Sequence, residues 1–332
     1  MSLLKKLLTT LTPQRKSLDW KDSAAHLMAL EQFLCAKRAD VGLPDYWESA
    51  LNSPPKYIIE QFIKDGLLIP LSLVESIQSH FKLSEMKEQA KSLGLAVSGK
   101  KEDLAKRLAN ENQNEMTRFF DEYPVLICSE EAKRAVETYR KDKEKSFEKT
   151  ITSIKLSLND GNFMDAVITA REYRKNEIKI QPPNSLAIKT PQPSVKDDIQ
   201  HIECIFKIRP KILKELDYDD WKPLSVVVAM GYLLGVMPTT WLPESFKGLT
   251  KFGNAVTLKM MNFHLNHLSR MKKLRSLGIK KVKIMGGCEC DACKQLSGKT
   301  FLIENAPELP YEQCNHYQGC RCLIRMEKDI FS

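Results

Sequence analysis

The sequence predicts a mainly α-helical, multi-domain protein that ends in a small metal-binding module with short β-strands. The chain has 332 residues, and because single domains usually hold about 100–200 residues, two or more folded units are expected. Apolar residues recur at helical spacing along most of the chain before residue 276. Six of the nine cysteines cluster between residues 288 and 322, which favours a metal site over core packing.

Residues 1–80 are predicted to form a helical N-terminal region. The segment 57–66 repeats apolar residues at helical spacing, and Gly66 is placed to end that helix. Residues 1–16 set basic side chains around short apolar pairs and lack the apolar run of a secretory signal. We interpret them as a short docking helix; the alternative is a segment that lies on a partner or a membrane surface.

Residues 115–180 are predicted to form a second helical region. Amphipathic patterns over 129–157 and 163–175 are separated by Gly161, which predicts a helical hairpin. Residues 181–199 contain four prolines among polar residues and are predicted to be a linker between the two halves of the chain.

Residues 200–286 are predicted to form a basic helical domain with helices at about 208–217, 222–236 and 253–276 and a strand at 281–285. The net charge of the whole chain is +9, which favours an anionic partner. The stretch 245–288 has no acidic residue and holds ten basic ones: Lys247, Lys251, Lys259, Arg270, Lys272, Lys273, Arg275, Lys280, Lys281 and Lys283. It is either a solvated face or a phosphate-binding surface.

We expect no membrane partner and a cytoplasmic location. A membrane span needs about 20 apolar residues in a row, and the apolar run at 226–236 is shorter and contains two glycines. A cysteine cluster in a cytosolic protein indicates metal binding rather than disulfides.

Residues 82–110 carry the pattern of two short helices joined by a turn. Ser84 is a candidate cap of the first helix, and Gly94 is placed to end it. Met86, Ala90, Leu93, Leu95, Val97, Leu104 and Leu108 are the expected core residues. Lys100 and Lys101 lie at the start of the second helix, where the helix dipole disfavours cations, so an anionic partner such as phosphate would stabilise them there.

This segment resembles the SAP family, a helix–turn–helix that binds double-stranded DNA, often A·T-rich and without strict sequence preference. The resemblance rests on the Leu-Gly-Leu at 93–95 and the Val-Ser-Gly-Lys-Lys at 97–101. It implies DNA contacts from Ser98, Gly99, Lys100 and Lys101, and from Lys87, Lys91, Lys106 and Arg107. The alternative is a helical hairpin that contacts protein.

Residues 287–330 are predicted to be a zinc-binding module. Zinc prefers four tetrahedral thiolate or imidazole ligands, commonly beginning with a C-x2-C turn, which Cys290 and Cys293 supply. The second pair comes from Cys314, His316, Cys320 and Cys322, with Cys314 and Cys320 preferred, Cys322 next, and Cys288 last. So many thiolates favour a closed structural Zn²⁺ site over a catalytic one.

The module is similar to the C-terminal end of phage head-morphogenesis proteins of the Mu F type. The matching positions are Cys290 and Cys293, Gly298-Lys299, Pro307 and Pro310, and Cys320-Arg321-Cys322. Tyr317-Gln318 replaces the His-Pro pair of that family, and Cys314 and His316 are candidate substitutes as ligands. The resemblance implies an assembly role and a protein partner for the module.

The sequence contains no convincing active site, and we lean towards a protein that is not an enzyme. It has no phosphate-binding glycine loop and no Ser–His or metalloprotease pattern. His264 and His267 share a helix face and either bind metal or are packed. Asp165 with Glu177-Ile178-Lys179 faintly resembles a nuclease triplet. The leading hypothesis is a DNA-binding protein with structural zinc; a tethered metal-dependent nuclease and a phage-derived assembly protein are the alternatives.

Overall fold

A computed structural model describes residues 20–178, 180, 193–248, 252–287 and 289–327. The chain is mainly helical, as predicted. The helices are α1 Ala24–Glu31, α2 Ala39–Gly42, α3 Glu48–Leu51, α4 Pro55–Lys64, α5 Leu73–His80, α6 Leu83–Ser92, α7 Lys101–Glu111, α8 Gln113–Glu122, α9 Glu130–Asn159, α10 Phe163–Asn176, α11 Val195–Lys207, α12 Tyr218–Leu234, α13 Asn254–Ser276 and α14 Asp291–Leu296. The strands are β1 Lys37–Arg38, β2 Leu68–Pro70, β3 Val125–Cys128, β4 Lys281–Met285, β5 Thr300–Leu302 and β6 Leu323–Met326.

The chain divides into two compact units, each made of two segments that are separate along the chain. The first unit comprises Met1–Ser146 with Glu177–Thr190, and the second Phe147–Asn176 with Pro191–Ser332. The first division lies inside α9, a single helix whose start contributes to one core and whose end contributes to the other. The spacing of apolar residues predicted the helix, but it could not show which of the two cores each turn of the helix packs into.

Two predicted segments extend beyond the described residues. The predicted docking helix at 1–16 lies outside them, as does the predicted linker up to residue 192. The last part of that linker is helical, because α11 begins at Val195. Ser194 caps this helix by accepting a hydrogen bond from the Asp197 backbone N–H.

The first unit contains a three-stranded antiparallel sheet in the order β1-β3-β2, which the sequence did not predict. Its strands are two to four residues long, too short for alternation to stand out. Leu68, Leu126 and Cys128 are buried in a core that α1 and α4 complete.

The segment 71–124 connects β2 to β3, which are neighbouring strands. It folds into α5, α6, α7 and α8, which share one core. Ile77 of α5 and Phe120 of α8 are buried in this core together with the apolar faces of α6 and α7. The predicted region 82–110 is therefore one part of a larger helical insertion.

The second unit is built on the central helix α12, whose apolar residues are nearly all buried. The predicted helices at 222–236 and 253–276 are present as α12 and α13. The prediction of a helix at 208–217 is wrong. Between the end of α11 at Lys207 and the start of α12 at Tyr218 there is only a single 3-10 turn, Lys211–Leu213, because Pro210 is extended and disfavours helical geometry at the residue before it.

A second antiparallel sheet, in the order β5-β4-β6, forms the end of the described chain. The strand expected at 281–285 is present as β4, and the short strands expected in the metal-binding module are present as β5 and β6. None of the helices described is both long and apolar enough to traverse a bilayer.

Candidate nucleic-acid interface and metal centre

The first helix of the predicted DNA-binding hairpin is α6. It begins at Leu83, and the Glu85 carboxylate accepts a hydrogen bond of 2.7 Å from the Lys82 backbone N–H. The expectation that Ser84 caps it is wrong, because Ser84 already lies in its first turn. Met86 and Ala90 are buried as expected, whereas Leu93 is 39% exposed.

The turn between the helices needs two glycines with positive φ. Gly94 ends α6 with φ +72° and Gly99 precedes α7 with φ +112°. Leu95 packs partly into the core, as expected. Val97 is 41% exposed, contrary to expectation, because the turn carries it outward between the two glycines.

Arg107 holds this turn in place. Its Nη1 donates hydrogen bonds to the backbone carbonyls of Ala96, at 2.6 Å, and Ser98, at 2.7 Å. Two charge-assisted bonds from one planar guanidinium restrict the turn more than neutral contacts would. The SAP resemblance implies Arg107 only as a DNA contact, and its role in holding the turn is evident only in the structure.

The second helix, α7, has Lys100 and Lys101 at its start and an apolar face that is buried. The Asp103 carboxylate accepts a hydrogen bond of 3.1 Å from the Lys100 backbone N–H at the helix start. Leu104 and Leu108 are fully buried and fix the helix to α5 and α6. The start of α7 therefore has a defined position on the surface.

The residues predicted to contact DNA are accessible to different degrees. Lys87, Lys91, Ser98, Gly99, Lys100 and Lys106 are exposed, and Lys101 and Arg107 are half-buried. Lys106 pairs with Glu102 one turn earlier, at 2.7 Å. Residues 98–101 thus combine exposed backbone, two lysines and a helix N-terminus, which together attract anions.

The basic stretch 245–288 lies mostly on α13 and β4. Lys259, Arg270, Lys272, Lys273 and Arg275 are exposed on α13, while the opposite face of the helix is buried. Lys251 lies outside the described residues. The two histidines of α13 are packed in the protein interior. The His264 Nδ1 lies 3.0 Å from the carbonyl oxygen of Leu309. Burial lowers the pKa of His267 to about 4.

Five cysteines converge in the C-terminal module. Cys290 caps α14 and Cys293 lies within that helix, so the C-x2-C turn directs both thiols to one side. The thiols form two groups with all sulfur pairs within 4.8 Å, Cys290 with Cys293 and Cys314, and Cys293 with Cys320 and Cys322. All except the half-buried Cys290 are buried. Cys288 lies outside the described residues.

The sulfur distances fit a shared metal ion and not a disulfide. The Sγ atoms of Cys290 and Cys314 are 3.7 Å apart, and those of Cys293 and Cys320 are 3.9 Å apart. A disulfide requires about 2.05 Å. Thiolates about 2.3 Å from one zinc ion lie about 3.8 Å apart at the corners of a tetrahedron. Hydrogen bonds from the Cys314 and Cys322 thiols lower the pKa of Cys320, which favours its thiolate.

His316, an alternative ligand, belongs to neither thiol group among the residues described. Its Nδ1 accepts a hydrogen bond of 3.2 Å from the Gln318 backbone N–H.

The faint nuclease triplet does not form strands in the part of the chain that the structure describes. Asp165 is exposed in the first turn of α10 and bonds to Asn162. Glu177 and Ile178 follow the end of that helix, and Lys179 lies outside the described residues.

Comparison with known proteins identifies one family. Residues 79–111 match the SAP domain, a range that spans α6, the turn and α7. No curated protein and no solved structure matched the chain. The similarity of the cysteine module to phage head-morphogenesis proteins therefore has no support from a relative.

Proposed function

We propose that this protein binds double-stranded DNA through the exposed turn and helix start at residues 97–101, and that a structural zinc site stabilises its C-terminal module. A single observation carries the DNA-binding proposal. The match to the SAP domain, a family associated with nucleic-acid binding, coincides with a surface on which Lys100 and Lys101 flank a helix N-terminus.

Phosphate is the ligand that this surface suits best. Backbone N–H groups at a helix start and two adjacent lysines attract an anion without reading a base sequence. Lys87 and Lys91 lie one turn apart on α6 and are exposed, so they add charge on the preceding helix. With few phosphate contacts, affinity is expected to be modest and strongly salt-dependent.

A second phosphate-binding surface is proposed on α13. Its exposed residues, Lys272, Lys273 and Arg275 among them, belong to a stretch without acidic residues. The two surfaces lie in different units of the chain.

Zinc is proposed as the metal because the donors are thiols. Soft thiolate ligands in tetrahedral sets select zinc over magnesium or calcium. The proposed ligands are drawn from the five converging thiols, those of Cys290, Cys293, Cys314, Cys320 and Cys322. A zinc ion bound this way crosslinks α14 to the loop before β6, which stabilises the module. Thiols kept for metal binding fit the reducing cytoplasm.

The DNA-binding proposal is tested by duplex binding across a salt series, with the wild type and the double variant Lys100→Glu, Lys101→Glu. Each lost phosphate contact reduces the slope of log affinity against log salt by about 0.9. The double variant is therefore expected to lose about 1.8 in slope and most of its affinity at low salt.

The matched control is Lys141→Glu with Lys145→Glu on α9. Both lysines are exposed in the same unit, and the change in net charge is identical. If the control loses as much affinity as the test variant, binding follows total charge and the hairpin has no special role. If the wild type does not bind duplex DNA, the proposal fails and the hairpin is a protein-contact element.

A further inference from the structure

The arrangement of the five thiols differs from that of a single tetrahedral site. One tetrahedral ion needs four sulfurs with all six separations near 3.8 Å. Among the described residues, no four thiols have all their sulfurs within 4.8 Å of one another. The thiols instead form two sets of three that share Cys293.

From this arrangement we infer that the module binds two metal ions bridged by the Cys293 thiolate. Cys290 and Cys314 complete the thiolate set of the first ion, and Cys320 and Cys322 complete that of the second, so each ion has three thiolates and one coordination position left for water or another donor. The inference rests on the proposed structural zinc site and adds its stoichiometry. The metal class is a thiophilic divalent ion, with zinc as the expected one.

The position of Cys293 suits a bridge. It lies in the middle of the short helix α14 and is fully buried, so its sulfur faces the module interior from a fixed backbone. Its Sγ lies 3.9 Å from that of Cys320, a member of the second set.

Charge balance favours the second ion. Four thiolates around one divalent ion carry a net charge of −2 and leave a fifth thiol beside them. Five thiolates around two divalent ions carry −1. Because burying net charge is costly, and four of the five thiols are buried, the two-ion cluster has the smaller desolvation penalty.

The test is the metal content of the full-length protein purified with zinc in the medium. Native mass spectrometry and elemental analysis are expected to give two zinc ions per chain. X-ray absorption at the zinc edge is expected to show zinc–zinc scattering, which only a bridged pair produces. Two ions without that scattering would overturn the bridge, and one ion would overturn the inference while leaving the structural zinc site intact. No bound metal would overturn the zinc proposal as well.

Single substitutions separate the two ions. Cys290→Ser and Cys322→Ser are each expected to reduce the content from two ions to one, whereas Cys293→Ser loses both. Cys204→Ser, at an exposed cysteine of α11 outside the module, is the matched control and retains two. If either Cys290→Ser or Cys322→Ser keeps the wild-type content, that thiol is not a ligand. The wild-type stoichiometry decides the question even where a variant fails to fold.

Discussion

Replacing Gly99 by alanine tests whether the turn before α7 depends on its backbone geometry. At φ +112°, Gly99 lies outside the left-handed region that other residues enter at modest cost. An added Cβ would approach the Arg107 Nη2 to 3.2 Å and the Asp103 Oδ2 to 3.3 Å. The substitution therefore strains the backbone and displaces the side chain that holds the turn.

The expected cost follows from these two effects. Backbone strain of this kind costs on the order of 1–3 kcal/mol, and weakening one charge-assisted hydrogen bond adds about 1 kcal/mol at a partly exposed site. Gly94→Ala is the matched control. Its φ of +72° is close to the left-handed region, and an added Cβ meets nothing within 4 Å, so we expect a cost of about 1 kcal/mol.

Two measurements are combined. Unfolding in urea is monitored by hydrogen exchange of the α6 and α7 amides, and duplex binding is measured at fixed salt. Gly99→Ala is expected to lose about 2–4 kcal/mol of local stability and to bind DNA more weakly, whereas Gly94→Ala keeps most of its affinity. Equal losses of stability in the two variants would refute the argument from Gly99 geometry. Unchanged DNA affinity in Gly99→Ala would refute the role of the turn in binding.

Three further predictions concern the two cores and the metal. Asp198 is buried beside Arg171 and accepts a hydrogen bond from Tyr232, so Asp198→Ala should lower the free energy of unfolding in urea by about 2–4 kcal/mol. The control Glu203→Ala removes an exposed ion pair and should cost under about 1 kcal/mol. Similar losses in the two variants would contradict the prediction. Burial lowers the pKa of His26 below 6.5, so the folded state binds fewer protons than the unfolded state, and the free energy of unfolding should fall as pH drops below about 6.5. Urea titrations at pH 7 and 5 should show a smaller fall in the free energy of unfolding for His26→Gln than for the wild type. An equal fall would exclude His26 as the cause. A zinc chelator should increase hydrogen exchange in β4, β5 and β6 and leave α6 and α7 unchanged; unchanged exchange in the module would contradict a structural metal.

Local pattern was enough to predict much of this protein. Helices α9, α10, α12 and α13 follow from apolar periodicity, because each is long enough for the repeat to stand out. The hairpin was recognisable because its glycines, lysines and leucines lie within about 30 residues. Strand β4 was predicted from its alternation of basic and apolar residues, and β5 and β6 from short apolar runs in the cysteine module.

The errors arose where a residue's role depends on distant parts of the chain. The strands β1, β2 and β3 pair residues far apart in sequence and are too short to show alternation. The cap of α6, the exposure of Val97 and the missing helix at 208–217 depend on how neighbouring segments pack.

The sequence by itself determined that this protein has a SAP-type hairpin and a thiol-rich module, because both patterns are written in neighbouring residues. Only the tertiary structure decided that the hairpin belongs to an insertion between β2 and β3, that Arg107 holds the turn, and that five thiols form two sets around Cys293. The physical reason is that hydrogen bonds and metal ligands act over a few ångströms. Which atoms come that close is fixed by packing between segments, not by their order along the chain.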